Sequence, residues 1–208
     1  MPYLERAEMN ALLETPSRVS PHGHRDYALL LFLLNSGARV SEANQLTVAD
    51  LDWGAPAVKL HGKGNQDRRC PLWPETVRAL QELVAEWAST ERVFLNRQGD
   101  PLTRFGIHKL VERYAARAAQ KVPSLQQKRV SPHTLRHTTA MFLLRSGVDL
   151  NTIRAWLGHA SLDTTHIYAE SDLEMKAKAL DKCELPKTRK PPRLWRSQPR
   201  LLEFLRSL

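Results

Sequence analysis

Two histidines and an arginine share the opening turn of one segment, SPHTLRHTTAMFLLRSG, residues 131–147. His133 and Arg136 are three apart, so on a helix they lie on one face. An imidazole beside a planar guanidinium is a pair suited to gripping a phosphate oxygen. The segment reads as a helix, with Ser131 as cap, Pro132 at the first position and Gly147 as stop. His133 and His137 also have a metal-ligand spacing, but no glutamate stands beside the first, and Arg136 between them would repel a cation. No metal site is expected.

Four other polar groups stand out. Arg39 in GARVSE follows a strongly apolar run, with Glu42 three residues on to orient it. Lys63 sits at the tip of HGKGNQDRR, between glycines that allow close backbone approach to a partner. In LGHAS, His159 precedes Ser161, where a helix start would offer N–H groups to an anion. Tyr168 follows nine residues later. Each has a plainer reading by itself: a surface charge, a solubilising hairpin tip, a half-buried tyrosine.

These residues need elements to carry them. The pattern predicts a short helix over Glu5–Glu14, then an apolar one over Arg25–Ser36 that Gly37 stops. Between Val48 and Leu72, LDW, AVKLH and DRRCPL read as short strands, the last two joined by a GKGN hairpin turn. Helical spacing returns over Pro74–Ala88 and Thr103–Gln120, separated by a strand and turn in VFLNRQGDPL. Lys121–Val130 reads as irregular. Beyond the segment at 131–147, helices are expected over Leu150–Leu157, from Ser161, and over Leu173–Lys182. The fold class is α+β, mostly α-helical, with a small antiparallel three-stranded sheet.

Composition narrows the partners. The 208 residues carry a formal charge of +9, the balance that suits a polyanion. From Pro186 to Leu208 there are seven Lys/Arg and one Glu, so +6 of that charge lies in the tail and +3 in the other 185 residues. Cys70 and Cys183 have no metal-ligand spacing and form no disulfide framework. The start, MPYLERAEMN, has no apolar signal core, and the run Ala28–Leu34 is too short to span a bilayer. A cytoplasmic protein that uses no membrane is expected.

Taken together, GARVSE, HGKGNQDR, SPHTLRHT and LGHASLDTTHIY resemble, in order and separation, the motifs of the tyrosine site-specific recombinases, the phage integrase family. The resemblance runs from about Leu4 to Cys183. It implies a catalytic domain over residues 1–183 and an active site of Arg39, Lys63, His133, Arg136, His159 and Tyr168, with Glu42 as the acidic companion of Arg39. It also implies that Tyr168 attacks a DNA phosphodiester, forming a 3′-phosphotyrosyl link and freeing a 5′-hydroxyl. Arg39 and Arg136 would grip the non-bridging oxygens, where charge spreads in phosphoryl transfer. His133 would accept the tyrosine proton, His159 would bind the phosphate, and Lys63 would protonate the leaving oxygen. Cations around Tyr168 would favour its phenolate. Neither metal nor ATP is needed, because the covalent ester keeps the phosphodiester's free energy for rejoining.

The same resemblance names double-stranded DNA and further recombinase protomers, in a tetrameric synapse, as partners. It leaves residues 184–208 as a basic tail. In that tail Leu201, Leu202, Phe204 and Leu205 share one helical face expected to dock on a neighbour, the alternative being a partly disordered tail. The N-terminal DNA-clamping domain of most relatives is expected to be absent. Two competing readings are a type IB topoisomerase and a non-catalytic DNA-binding regulator.

Overall fold

The apolar run after residue 25 becomes the central helix. In the computed structural model, which describes residues 3–62, 67–85 and 87–158, every residue from Asp26 to Ser36 is buried. This helix, α2 (Pro21–Ser36), follows α1 (Arg6–Leu13) and starts four residues earlier than the spacing predicts. Ser20 accepts a hydrogen bond from the Gly23 amide at 3.1 Å, and Pro21 takes the first position, so the histidines at 22 and 24 join the first turn. A fully buried leucine here is worth about 2 kcal/mol of transfer free energy, and α2 alone contributes several.

A six-residue helix, α3 (Val40–Gln45), comes next, an element the hydrophobic spacing does not announce. Strands β1 (Leu51–Asp52), β2 (Ala57–His61) and β3 (Asp67–Pro71) form an antiparallel sheet in the order β1-β2-β3. Its register pairs Val58 with Cys70, Leu60 with Arg68 and His61 with Asp67. The remaining helices are α4 (Pro74–Val84), α5 (Arg104–Ala118), α6 (Pro132–Arg145) and α7 (Leu150–Leu157). The helices called from Ser161 and over Leu173–Lys182, and the tail, lie outside the described residues.

Two expectations need correction. VFLNRQGDPL forms no strand: it makes a single bridge within itself, Leu95 with Pro101, and Arg92 just before it bridges Thr47. Its flanking partners are loop residues, so no ladder can propagate, although Asn96 does build the turn by accepting from the amides of Gln98 and Asp100. The segment read as irregular contains a 3₁₀ turn at Pro123–Gln127, with Leu125 buried. It is tied to α1 by Lys128 Nζ donating to Glu8 Oε2 at 2.6 Å.

Packing around α2 sets the frame of the site. α4 and α6 both lie against it, and Thr139 of α6 donates to the Leu34 carbonyl at 2.7 Å. α7 packs against α6 and β3, and Trp156 donates from Nε1 to the Asn35 carbonyl at 3.3 Å. Phe32 and Phe94 close the core on the other side, with ring centroids 5.7 Å apart. Among the described residues no helix is long and apolar enough to cross a membrane.

Candidate active site

The site is built where α2, α6 and α7 end or begin. Gly37 stops α2 in the left-handed region at φ 59°, and a Cβ there would lie 2.6 Å from Leu157 Cδ2. Glycine thus both turns the chain and lets α7 close on α2. Two residues on, Arg39 caps α3. Its amide donates to Glu42 Oε2 at 2.7 Å, its Nη1 to Glu42 Oε1 at 3.0 Å, and its Nη2 to the Gly158 carbonyl at 2.8 Å. The Arg39 side chain is 37% exposed, so the guanidinium is held at the protein surface.

Arg136 approaches the same place from α6. Its Nη1 donates to the Gly37 carbonyl and its Nη2 to the Leu157 carbonyl, both at 2.5 Å, and the residue is only 7% exposed. Carbonyls are neutral acceptors, so these two bonds aim the guanidinium without cancelling its charge. The helix start that presents it follows the sequence reading: Ser131 accepts from the Thr134 amide, and Pro132 opens α6. His133 is exposed and His137 half-buried, so the residues of this turn differ sharply in burial.

A third arginine completes the arrangement, and the sequence reading assigned it no role. Arg68 of β3 forks onto Glu42, Nη1 to Oε1 at 2.7 Å and Nη2 to Oε2 at 2.8 Å, while its Nε donates to the Trp156 carbonyl at 2.8 Å. Its side chain is 8% exposed. The signal was present in the strand period: positions 68 and 70 share a face, and Cys70 is fully buried. Glu42 was read as the partner of Arg39; the structure gives it two arginines.

The consequence is a run of three consecutive carbonyls at the end of α7, each taken by a different arginine. Trp156 accepts from Arg68, Leu157 from Arg136 and Gly158 from Arg39. A helix C-terminus leaves its last carbonyls unpaired and carries partial negative charge, so cations are favoured there. Among the described residues three arginines and one carboxylate gather at this helix end, an excess of cationic groups.

Protonation states follow from the same contacts. Burial alone would raise the Glu42 pKa, but the hydrogen bonds and charge of Arg68, then those of Arg39, outweigh it and hold the carboxyl below its usual range. Glu42 is a carboxylate at neutral pH. Burial, with smaller contributions from nearby positive charges that include His133 and Arg136, pushes the His137 pKa below its ordinary value and favours the neutral imidazole. Burial raises the Cys70 thiol, so it is not a thiolate. His61, at the base of the hairpin, bonds Asp67 Oδ1 through Nδ1 and Asp50 Oδ1 through Nε2, both at 2.9 Å. The hydrogen bonds to Asp50 and then Asp67 raise its pKa.

Of the seven residues named from sequence, Arg39, Arg136 and Glu42 are brought together, and His133 lies one turn before Arg136 on α6. Lys63, His159 and Tyr168 lie outside the described residues. Lys63 falls between His61 and Asp67, which pair across β2 and β3, and the described residues reach Gly158, immediately before His159 in the sequence.

The domain is a mostly helical α+β fold in which three arginines converge on the end of one helix. Residues 2–175 match the model of the phage integrase family. The chain belongs to that family. It is 39% identical over 209 residues to the putative integrase/recombinase y4rC of Sinorhizobium fredii, covering 99% of this chain and 62% of that protein. It is 37% identical over 192 residues to the tyrosine recombinase XerC of Pelobacter propionicus, covering 91% and 61%. The chain thus spans about three-fifths of the length of these curated relatives. Among solved structures it is similar to the XerA recombinase, with a TM-score of 0.74, 28% identity, and coverage of 88% of this chain and 65% of that one. It is also similar to the XerH site-specific recombinase bound to difH substrate in a pre-cleavage complex, with a TM-score of 0.71, 28% identity, and coverage of 86% and 54%.

Proposed function

We propose that this chain is a site-specific DNA recombinase that cleaves and rejoins strands through a 3′-phosphotyrosyl intermediate, with no metal or ATP. The observation that carries the reading is the meeting of Arg39 and Arg136 on adjacent carbonyls, Gly158 and Leu157. Two guanidiniums held at neighbouring carbonyls suit a single phosphodiester, whose transferring oxygens must be held in line and whose charge must be stabilised.

In this reading Tyr168 attacks phosphorus, the Tyr168–phosphorus bond forms, and the bond to the 5′ oxygen breaks. His133, exposed on the first turn of α6, takes the phenol proton. Lys63 gives a proton to the departing oxygen, and His159 adds a hydrogen bond to the phosphate. Glu42, held as a carboxylate, keeps Arg39 in orientation. Rejoining is the reverse, with a 5′-hydroxyl from a partner strand as nucleophile. The partners are double-stranded DNA and further recombinase protomers in a tetrameric synapse. The apolar face of Leu201, Leu202, Phe204 and Leu205 docks on a neighbour, and the site of action is the cytoplasm, where DNA is accessible. Deleting residues from Lys187 onward is expected to weaken assembly on DNA; unchanged assembly counts against docking.

The test of the chemistry is a nicked suicide substrate built from the native neighbouring DNA, from which the freed 5′ fragment diffuses away and strands the covalent adduct. The full chain is expected to accumulate adduct equally with and without EDTA. Tyr168→Phe is expected to bind the DNA and form none. Adduct in Tyr168→Phe, or cleavage that EDTA stops, overturns the proposal.

A further inference from the structure

We propose that Arg68 is a positioning residue for strand cleavage: it holds the Glu42 carboxylate on one side and the end of α7 on the other, and so fixes the Arg39 fork. This deepens the functional reading above and rests on it. Arg39 is anchored at two places, the Glu42 carboxylate and the Gly158 carbonyl. Arg68 holds both. Its two Nη atoms grip both oxygens of Glu42, the same oxygens that bond the Arg39 guanidinium and amide. Its Nε holds the Trp156 carbonyl, and its stem lies so close to Gly158 that a Cβ there would be 3.1 Å from Arg68 Cδ and Nη1.

The next arginine in the strand shows what an ordinary surface role looks like. Arg69 is 60% exposed and pairs with the solvent-facing Asp52, whereas the Arg68 side chain is 8% exposed. A direct grip on the phosphate is disfavoured for Arg68, because both Nη atoms fork onto the Glu42 carboxylate, which offsets its charge, and Nε is taken by the Trp156 carbonyl. It acts through Arg39. Lysine could supply the charge but not the fork or the third donor direction that reaches α7.

The experiment is a double-mutant cycle on the full chain, using the nicked suicide DNA of the previous section and reading the adduct rate at saturating DNA. DNA affinity and the thermal midpoint are followed in parallel, below the midpoint of every variant. Arg68→Lys is expected to slow adduct formation about 10- to 100-fold, the cost of displacing an aligned group, with DNA affinity unchanged. In an Arg39→Lys background the same change is expected to cost little more, because the group being positioned is already impaired. A wild-type rate in Arg68→Lys overturns the proposal. So does an equal fold-loss in both backgrounds, which is what a purely structural role produces. If Arg68→Lys melts below the assay temperature, Arg68→Met is read by the same two criteria. Failure of the functional reading looks different: the wild-type chain forms no adduct, or Tyr168→Phe still does.

Discussion

Two buried carboxylates in this molecule are each met by two arginines, and they do different work. Asp26 in α2 is 2% exposed and accepts from Arg25, from Arg113 at 3.1 Å and from the Tyr114 hydroxyl at 2.8 Å. Glu42 in α3 is 4% exposed and accepts from Arg39 and Arg68. At Asp26 the second arginine leaves towards solvent, its side chain 52% exposed, and a neutral phenol completes the set. That centre stitches α2 to α5. At Glu42 the spare donors of both arginines continue onto the carbonyls of Trp156 and Gly158, where Arg136 joins them at Leu157. A buried carboxylate with two guanidiniums is therefore no sign of function by itself. What distinguishes the second is the convergence of a third cation on the same helix end.

The largest expected effect breaks this contrast on the reaction itself. Arg136→Ala is expected to lower adduct formation by about 100- to 1000-fold, the scale seen when one donor to a developing charge is removed. Arg113→Ala, at the other centre, is expected to leave the adduct rate per folded molecule unchanged. Both are read on the suicide substrate, and equal losses would erase the distinction.

Next in size is stability. Asp26→Ala strands Arg25 and is expected to cost about 3–5 kcal/mol in denaturant unfolding, the penalty for orphaning a buried charge. Glu42→Gln keeps a polar group and is expected to cost less stability than that while slowing cleavage more. A variant pair that ranks the other way would count against the proposed role of the Glu42 centre.

Gly37→Ala sharpens the comparison at the backbone. The left-handed φ costs an alanine about 1–2 kcal/mol, and its Cβ must also displace Leu157. Urea midpoints should report the loss, and the adduct rate should fall with it because the Gly37 and Leu157 carbonyls orient Arg136.

The smallest effect is a pH dependence at the hairpin base. The folded pKa of His61 lies above its ordinary 6.5, so its contribution is fully present below that value and is lost as pH rises through the folded pKa. His61→Gln is expected to flatten the decline in thermal midpoint as pH rises above the ordinary histidine value of 6.5. An unchanged slope would show that the Asp50–His61–Asp67 contacts contribute nothing measurable.

Much of the fold was legible because its rules are local. Gly37 and Gly158 ending helices, Ser131 with Pro132 opening α6, and the apolar run of α2 depend on residues within a few positions of one another. The two strand-like runs flanking Lys63 likewise pair across their turn. The misses share a cause as well. α3 has only six residues and its start rests on the exchange between Arg39 and Glu42 rather than on hydrophobic spacing, and VFLNRQGDPL has strand composition but no strand beside it.

Residue types and spacing by themselves determined which side chains could handle a phosphate, that Arg39 follows the end of α2 and that α6 carries Arg136, because capping, chain-stopping and periodicity are short-range. Only the tertiary structure decided that Arg39, Arg68 and Arg136 share the last carbonyls of α7 and that Glu42 serves two of them. Those contacts join residues 119, 88 and 21 positions apart, so they exist only once α2, β3, α6 and α7 have packed. The strand period hinted that Arg68 turns inward, but a buried arginine's partner is set by whichever acceptor the packing leaves within reach.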